Sequence, residues 1–399
     1  MATRTIGAAM SKKLTSSVAI AEDRRSEALN RAIDAAIEAQ RIVGCVVLVA
    51  ENGRIVFQRA AGDADREARS AMMIETPFRL ASVTKLFTTM AALRLAASGR
   101  LSPADPVSRY LPQFTLKMAN GEAATPTVSH LMAHIAGLDY RFQQVANGSY
   151  AQAGISDGLD DDAVSLSENI RRIASVALDH APGSAWRYSV ATDVLGAVIE
   201  TVTGQTLDQA IAELVTEPLG LDVRFHWRVD ELATPYFDAQ PSPQRMTGVT
   251  DVPLPFVAGP GVSFDPGRIE KKTAWLSGGA GMAGRAHDVL TLLEAFRAGD
   301  FLDEDWRAAA RAPRIGEEAQ AQGPGWGYSW IGAALLDPVS ANSRWNPGSV
   351  SWGGAYGAWW GIEFARNLSV VALTNTAFEG MVGQFTRDIA AAVVEGPAS

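Results

Sequence analysis

Apolar residues recur every three or four positions from Ala21 to Gln40, where Leu29, Ile33 and Ile37 fall on one side and Asp and Arg on the other. This spacing predicts an amphipathic helix. A continuous apolar run, Val43–Ala50, comes next, then Asn52-Gly53, then Arg54-Ile-Val-Phe-Gln-Arg. Two β-rich runs around Asn-Gly predict a hairpin, because a type I′ turn needs positive φ at both central residues. The period then returns to helical. Leu86, Met90, Leu93 and Ala97 make one stripe ending at Gly99. Val194, Leu195, Val198, Ile199 and Val202 make a second, ending at Gly204. Leu207, Ile211, Leu214 and Val215 make a third, which Pro218 is expected to stop. Pro235 to Pro266 is dense in proline and glycine and reads as an irregular connection, suited to a lid or a pocket wall. Helix resumes over Ala286–Ala298. Strand patterns close the chain: a run opening at Trp352–Ala355, then Trp359–Phe364 and Leu368–Thr374 around Arg366-Asn367, then a helix over Met381–Val394.

Helix plus hairpin thus stands at one end of the chain and strands plus helix at the other. The economical architecture is α+β: one antiparallel sheet assembled from both chain ends, flanked by the terminal helices, with a mostly helical lobe inserted between. We expect a loose tail at 1–20, a sheet domain from 21–79 and 285–399, and a helical domain over 80–284. A chain of 399 residues is long enough for two lobes around one cleft.

The composition is that of a soluble globular protein, 47% hydrophobic and 20% charged. A net charge of −9 argues against nucleic acid or an anionic membrane surface as partner. No apolar run approaches the ~18 residues of a membrane span. The basic N-terminus lacks the apolar core of a signal peptide, so a cytoplasmic protein is expected. Cys45 is the single cysteine, which excludes an internal disulfide and a cysteine-rich zinc site.

Three elements carry candidate chemistry. Ser82-Val83-Thr84-Lys85 opens the first buried helical stripe. Residues three apart on a helix are neighbours, so the Ser82 hydroxyl and the Lys85 amine can meet, and the helix N-terminus favours an oxyanion there. Alone, the pattern is as easily a capping serine with a solvated lysine. Tyr188 stands just before the second stripe, where a phenol near Lys85 could carry the serine proton; alone it would be a core residue. Trp352-Gly353-Gly354-Ala355 opens a strand with two glycines, which let backbone approach a ligand; the Ala355 N–H could pair with that of Ser82 as an oxyanion hole.

With these residues in view, the chain resembles the serine β-lactamase and penicillin-binding-protein fold, and within it the family VIII carboxylesterases. The resemblance runs from about Ala21 to Val394. It includes Phe78-Arg-Leu-Ala-Ser82-Val-Thr-Lys85, Ala104–Pro112, His130–Leu138, Ala181-Pro-Gly183 with Tyr188-Ser189, Glu217–Gly220, Ser277–Gly281 and the Trp-Gly-Gly triplet. It implies Ser82 as nucleophile, Lys85 as its base partner and Tyr188 as the motif tyrosine. The amides of Ser82 and Ala355 would form the oxyanion hole, and Trp352, Gly353, Gly354 and Tyr140 would line the substrate site. Two departures matter: Val190 replaces the asparagine of the tyrosine motif, and Trp352 stands where β-lactamases carry lysine or histidine. Both remove groups that would grip a lactam.

Other motifs compete. Gly154-Ile-Ser156-Asp-Gly158 matches the lipase pentapeptide, but polar Asn147–Gln152 precedes it and Asp160–Asp162 follows, where that motif needs a strand and a helix. We expect Ser156 in a surface loop and the acidic run in a solvated one. His130 and His134 have zinc-ligand spacing but lack the intervening Glu of H-E-x-x-H, and no metal is expected. The reading that results is a serine carboxylesterase acting on short- to medium-chain acyl esters, with a small-molecule substrate and no cofactor. β-Lactamase, D-aminopeptidase or acyltransferase activity of the same site is the alternative. A non-catalytic penicillin-binding-like module and an α/β-hydrolase built on Ser156 are the rivals from other classes.

Overall fold

A computed structural model describes residues 24–160, 164–255 and 259–395. The expected tail at 1–20, the first residues of the expected helix from Ala21, and Asp161 and Asp162 lie outside them. The first helix, α1, spans Arg24–Glu38, and strand β1 (Gly44–Glu51) turns at Asn52-Gly53 into β2 (Arg54–Asp65). Both turn residues have positive φ, 52° and 77°, as a type I′ turn requires. A short β3 (Ser70–Ala71) pairs with the end of β2. The remaining strands come from the other end of the chain: β4 (Trp326–Tyr328), β5 (Ala333–Leu335), β6 (Val350–Gly354), β7 (Ala358–Glu363) and β8 (Leu368–Thr374).

These eight strands form one sheet in the order β4-β5-β6-β7-β8-β1-β2-β3, antiparallel throughout. The two chain ends join at its centre, where Cys45 faces Thr374 and Glu51 faces Leu368. Asn375 locks this junction. Its Oδ1 accepts from the Gly44 N–H at 3.0 Å, and its Nδ2 donates to the carbonyls of Asp63 and Ala64.

β1 is buried on both faces, which is why it reads as a continuous apolar run rather than an alternation. Cys45, Val47 and Val49 pack with Leu29 and Ile33 of α1 and with Phe385 and Ile389 of a C-terminal helix, Gln384–Ala392. Val46, Leu48 and Ala50 face the larger core, which includes Val289, Leu290 and Leu293 from helix Ala286–Ala298. Both terminal helices therefore cover the same face and pack on each other.

Helix α2 (Thr84–Ala97) is buried along nearly its whole length and packs against α3 (Ala191–Thr203), which ends at Gly204 with φ 72°. Pro218 does not stop the third stripe. Leu207–Ile211 widens into a π turn at Ala212–Thr216, continues through Glu217–Leu219 and ends at Gly220, with φ 66°. Proline lacks an N–H for the carbonyl four residues back, and the wider turn absorbs the missing bond. The proline-rich connection holds two small antiparallel ribbons, Tyr236–Phe237 with Gln244–Arg245 and Thr250–Val252 with Val262–Phe264.

Since Leu48 is fully buried in the central strand, Leu48→Ala should lower unfolding free energy by about 2–5 kcal/mol in chemical denaturation. Val339 is 88% exposed, and Val339→Ala should change it by no more than about 0.5 kcal/mol.

Candidate active site

Ser82 lies in a single 3₁₀ turn, Ala81–Val83, that leads directly into α2. Ala81 carries a φ of 43°, a left-handed conformation that costs a non-glycine residue energy, immediately before the serine. One turn on, Lys85 is buried, and its ammonium donates to Ser82 Oγ at 3.2 Å and to the Gly279 carbonyl at 2.7 Å. The sequence predicts the first contact. It does not reveal the second.

Gly279 belongs to the segment Ser277–Met282, which is fastened beside α2 at several points. Met282 N–H donates to Thr84 Oγ1, Thr88 Oγ1 donates to the Gly278 carbonyl, and Leu80 N–H donates to the Met282 carbonyl. Asp193, fully buried on α3, accepts on one carboxylate oxygen from Ser277 Oγ at 2.7 Å and from Gly279 N–H at 2.9 Å. Burial pushes the Asp193 carboxyl above its ordinary range; the Lys85 charge and those two donors pull it back. Asp193 thus braces Gly279, the residue whose carbonyl holds Lys85.

Tyr188 stands over the lysine, its ring centroid 4.7 Å from Lys85 Nζ, and the Tyr140 centroid lies 5.3 Å away. The Tyr188 hydroxyl does not bond Ser82 or Lys85 among the described residues. It accepts from the Trp352 indole N–H at 3.2 Å. Trp352 is therefore no empty replacement: it aims a donor at the oxygen where charge would build if the tyrosine released its proton. Tyr188, Trp352, Trp186 and Tyr328 form a connected aromatic wall with centroids 5.0–6.4 Å apart. Tyr140 stacks on Phe142 at 4.6 Å. Burial lifts the Tyr140 and Tyr328 phenols far above their usual range.

β6 ends against the serine turn. A Cβ on Gly354 would meet the Leu80 carbonyl at 2.2 Å and lie 3.3 Å from Ser82 N, so only glycine lets the strand come this close. A Cβ on Gly353 would meet Met381 at 2.6 Å, on a different neighbour. The Ala355 N–H donates to no carbonyl among the described residues. A narrow pocket is lined by Ser82, Lys85, Thr89, His134, Thr192, Tyr328 and Trp352 and by neighbouring apolar side chains. The structure thus brings together Ser82, Lys85, Tyr188, Trp352 and the Gly354–Ala355 corner, with Tyr140 on the same lysine.

The chain matches the beta-lactamase family model over residues 29–395. It belongs to the beta-lactamase family. It is 46% identical to Esterase EstB of Burkholderia gladioli over 361 residues, 90% of this chain and 92% of that one. Its fold superposes on EstCE1, described as a hydrolase with promiscuous acyltransferase activity, with a TM-score of 0.91 at 42% identity, covering 93% of this chain and 98% of that one. Simvastatin synthase (LovD) from Aspergillus terreus shares the fold at a TM-score of 0.73 and 20% identity, covering 93% and 99%. The protein is a serine hydrolase of this family. No helix among the described residues is long and apolar enough to cross a membrane.

Two expectations from sequence do not hold. Ser156 is not on the surface: it is fully buried, and its hydroxyl donates to Asp160 and accepts from the Gly158 N–H. Neither a strand before it nor a helix directly after it presents that hydroxyl. Asp160 is not solvated either; it is 5% exposed and paired with Arg141 at 3.0 Å. The two histidines with zinc-ligand spacing are engaged separately. His130 closes a capping box with Thr127. His134 is buried against Tyr188, at 4.8 Å between ring centroids, and its Nδ1 accepts from the Ser189 N–H. Burial, with the Lys85 charge, holds the His134 imidazole neutral, well below its usual pKa.

Asp157, beside Ser156, is a buried carboxyl with a raised pKa. Burial pushes its pKa up to about 7, opposed by Arg141 and by the Arg141 and Phe142 N–H groups and reinforced by Asp160. The unfolded chain releases this proton near pH ~4. The folded state binds it more tightly, so stability should fall as pH rises from about 4 to about 7 and level off above. Asp157→Asn should flatten that part of the Tm–pH profile. An unchanged slope would show the carboxyl ionised throughout.

Proposed function

We propose that this chain is a carboxylesterase that hydrolyses short- to medium-chain acyl esters through an acyl-enzyme on Ser82. The observation that carries the reading is the 3.2 Å contact between Lys85 Nζ and Ser82 Oγ at the corner made by Gly354 and Ala355. The likeness to Esterase EstB supports the ester as substrate. In this reading the Lys85–Tyr188 pair has first lost one proton to solvent, and Ser82 Oγ attacks the ester carbonyl while that pair takes up the serine proton. The N–H groups of Ser82 and Ala355 hold the tetrahedral oxyanion. The intermediate collapses, the alkoxide leaves with the proton returned by the same pair, and water, deprotonated by them in turn, releases the acid. Trp352 steadies the charge that passes through the Tyr188 oxygen. Trp352, Tyr140 and the flat Gly353–Gly354 corner bound the acyl and alcohol groups. The likeness to EstCE1, a hydrolase with promiscuous acyltransferase activity, favours a second outcome of the same intermediate, in which an alcohol replaces water and accepts the acyl group.

Ser82→Ala should abolish hydrolysis of p-nitrophenyl butyrate with the circular dichroism spectrum unchanged. Ser156→Ala should keep most of the turnover number. The reverse pattern would move the nucleophile to Ser156. Tyr188→Phe and Lys85→Ala should each slow kcat by ~10²–10⁴-fold, and the double variant should be little worse than either, because residues acting as one unit do not add.

Ester should win over lactam. Val190 offers no amide to a lactam carbonyl, and the Trp352 N–H is already spent on Tyr188. Each missing bond to a charged group costs about 1.5–3 kcal/mol, or one to two decades in rate. Nitrocefin should therefore be turned over far more slowly than p-nitrophenyl butyrate by kcat/KM. Rates within tenfold of each other would promote the β-lactamase reading.

A further inference from the structure

A second, open pocket adjoins the Ser277–Met282 segment. Its wall includes Ser277, Ala280 and Tyr356, neighbours of Gly279 and Ala355, but neither Ser82 nor Lys85. Two arginines line it. Arg79 is 7% exposed and Arg268 9%. Arg79 donates to the Pro266 carbonyl from Nε and Nη2 and to the Ala233 carbonyl from Nη1. Arg268 donates to the Trp275 carbonyl at 2.8 Å and weakly to the Asp160 carbonyl at 3.4 Å. Neither forms an ion pair with a carboxylate among the described residues.

A buried guanidinium with only carbonyl partners keeps unused N–H donors, since each guanidinium has five, and its charge is met only at longer range, by Asp265 and Glu270 for Arg79 and by Asp160, Asp193 and Asp265 for Arg268. Burial presses the pKa of both arginines below its ordinary value. Asp265 and Asp160 are committed elsewhere, whereas the second carboxylate oxygen of Asp193 is buried with no hydrogen-bond partner among the described residues. Asp265 pairs with Lys271 and caps Gly267, and Asp160 holds Arg141 and Ser156. Two further groups in the wall lack acceptors among the described residues. The Trp275 indole N–H is buried without one in a residue 7% exposed, and the Tyr356 hydroxyl, on a residue 6% exposed, has no hydrogen-bond partner among the described residues but keeps access to solvent. Arg79 lies over the Tyr356 ring at 5.8 Å.

We propose that this cavity is a binding site for a small carboxylate, held between the guanidinium forks of Arg79 and Arg268, with the Tyr356 hydroxyl and the Trp275 N–H as further donors. The forked donors match a planar carboxylate. Asp265 and Asp160 close by favour a singly charged anion over a phosphate dianion. The site stands apart from the catalytic reading and does not depend on it.

The test is a ligand-detected NMR titration of the full chain at pH 7 with sodium butyrate, butyramide and inorganic phosphate. Butyrate should bind saturably, with a Kd on the order of 1 mM or below, and butyramide should not. Arg268→Met should weaken butyrate at least tenfold, and Ser82→Ala should leave it unchanged. Tyr356→Phe, which removes one hydroxyl and keeps the packing, should weaken it several-fold and serves if the arginine variant fails to fold. The proposal is overturned if butyrate and butyramide behave alike, if phosphate binds more tightly than butyrate, if Tyr356→Phe binds butyrate like the parent, or if binding is lost in Ser82→Ala.

Discussion

A lysine that leaves water has to find acceptors for its N–H donors, and the way Lys85 finds them organises the whole cleft. One acceptor is three residues back, at Ser82 in the 3₁₀ turn that leads into its helix. The other is the carbonyl of Gly279, 194 residues later in the chain. That carbonyl is positioned because the N–H of the same residue, in the preceding peptide group, is held by Asp193 on α3. Three segments far apart in sequence are thereby fixed around one ammonium. An isolated S-x-x-K pattern acquires chemical meaning only inside such a frame.

The surroundings of that ammonium are aromatic and nearly dry. Tyr188, Tyr140, Tyr328, Trp186 and Trp352 supply surface without supplying charge, and His134 is held neutral among them. In so low a dielectric each remaining dipole counts for more. The Trp352 N–H facing the Tyr188 oxygen and the Ala355 N–H are polar groups set beside this aromatic surface. The same scarcity explains why a buried carboxylate as close as Asp193 is tied down by two donors rather than left to compete for the lysine.

Much of this was legible in the sequence because it is local. Asn52-Gly53 needs only two residues to declare a turn, the stripes of α2 and α3 need only the helical period, and Ser82 and Lys85 are three apart. What was not legible depends on contacts between distant segments. Nothing near Asp193 announces that it will brace Gly279, and no pattern marks Tyr328 as part of the aromatic wall. The Trp352–Tyr188 bond joins residues 164 apart, so Trp352 reads from sequence as a lost polar group. Ser156 and Asp160 look solvated because their neighbours are polar, yet they satisfy each other and so can be buried together. The Pro218 turn misleads for a similar reason, since a packed helix can tolerate a missing donor by widening its turn.

The pairing of β1 with β8 also governs how the molecule can come into being. Residues 45–51 cannot find their central neighbours until residues 368–374 exist. On the ribosome the first hairpin emerges early but stays an exposed two-stranded ribbon, marginal by itself. The helices between, whose contacts are nearer in sequence, can collapse while synthesis continues. Closing the sheet across more than three hundred residues is then a late event with a large loop-entropy cost. A nascent chain of this protein carries an unsatisfied strand edge for almost its entire translation, which makes the interval before release the period of greatest exposure to aggregation and the point where a chaperone would matter most.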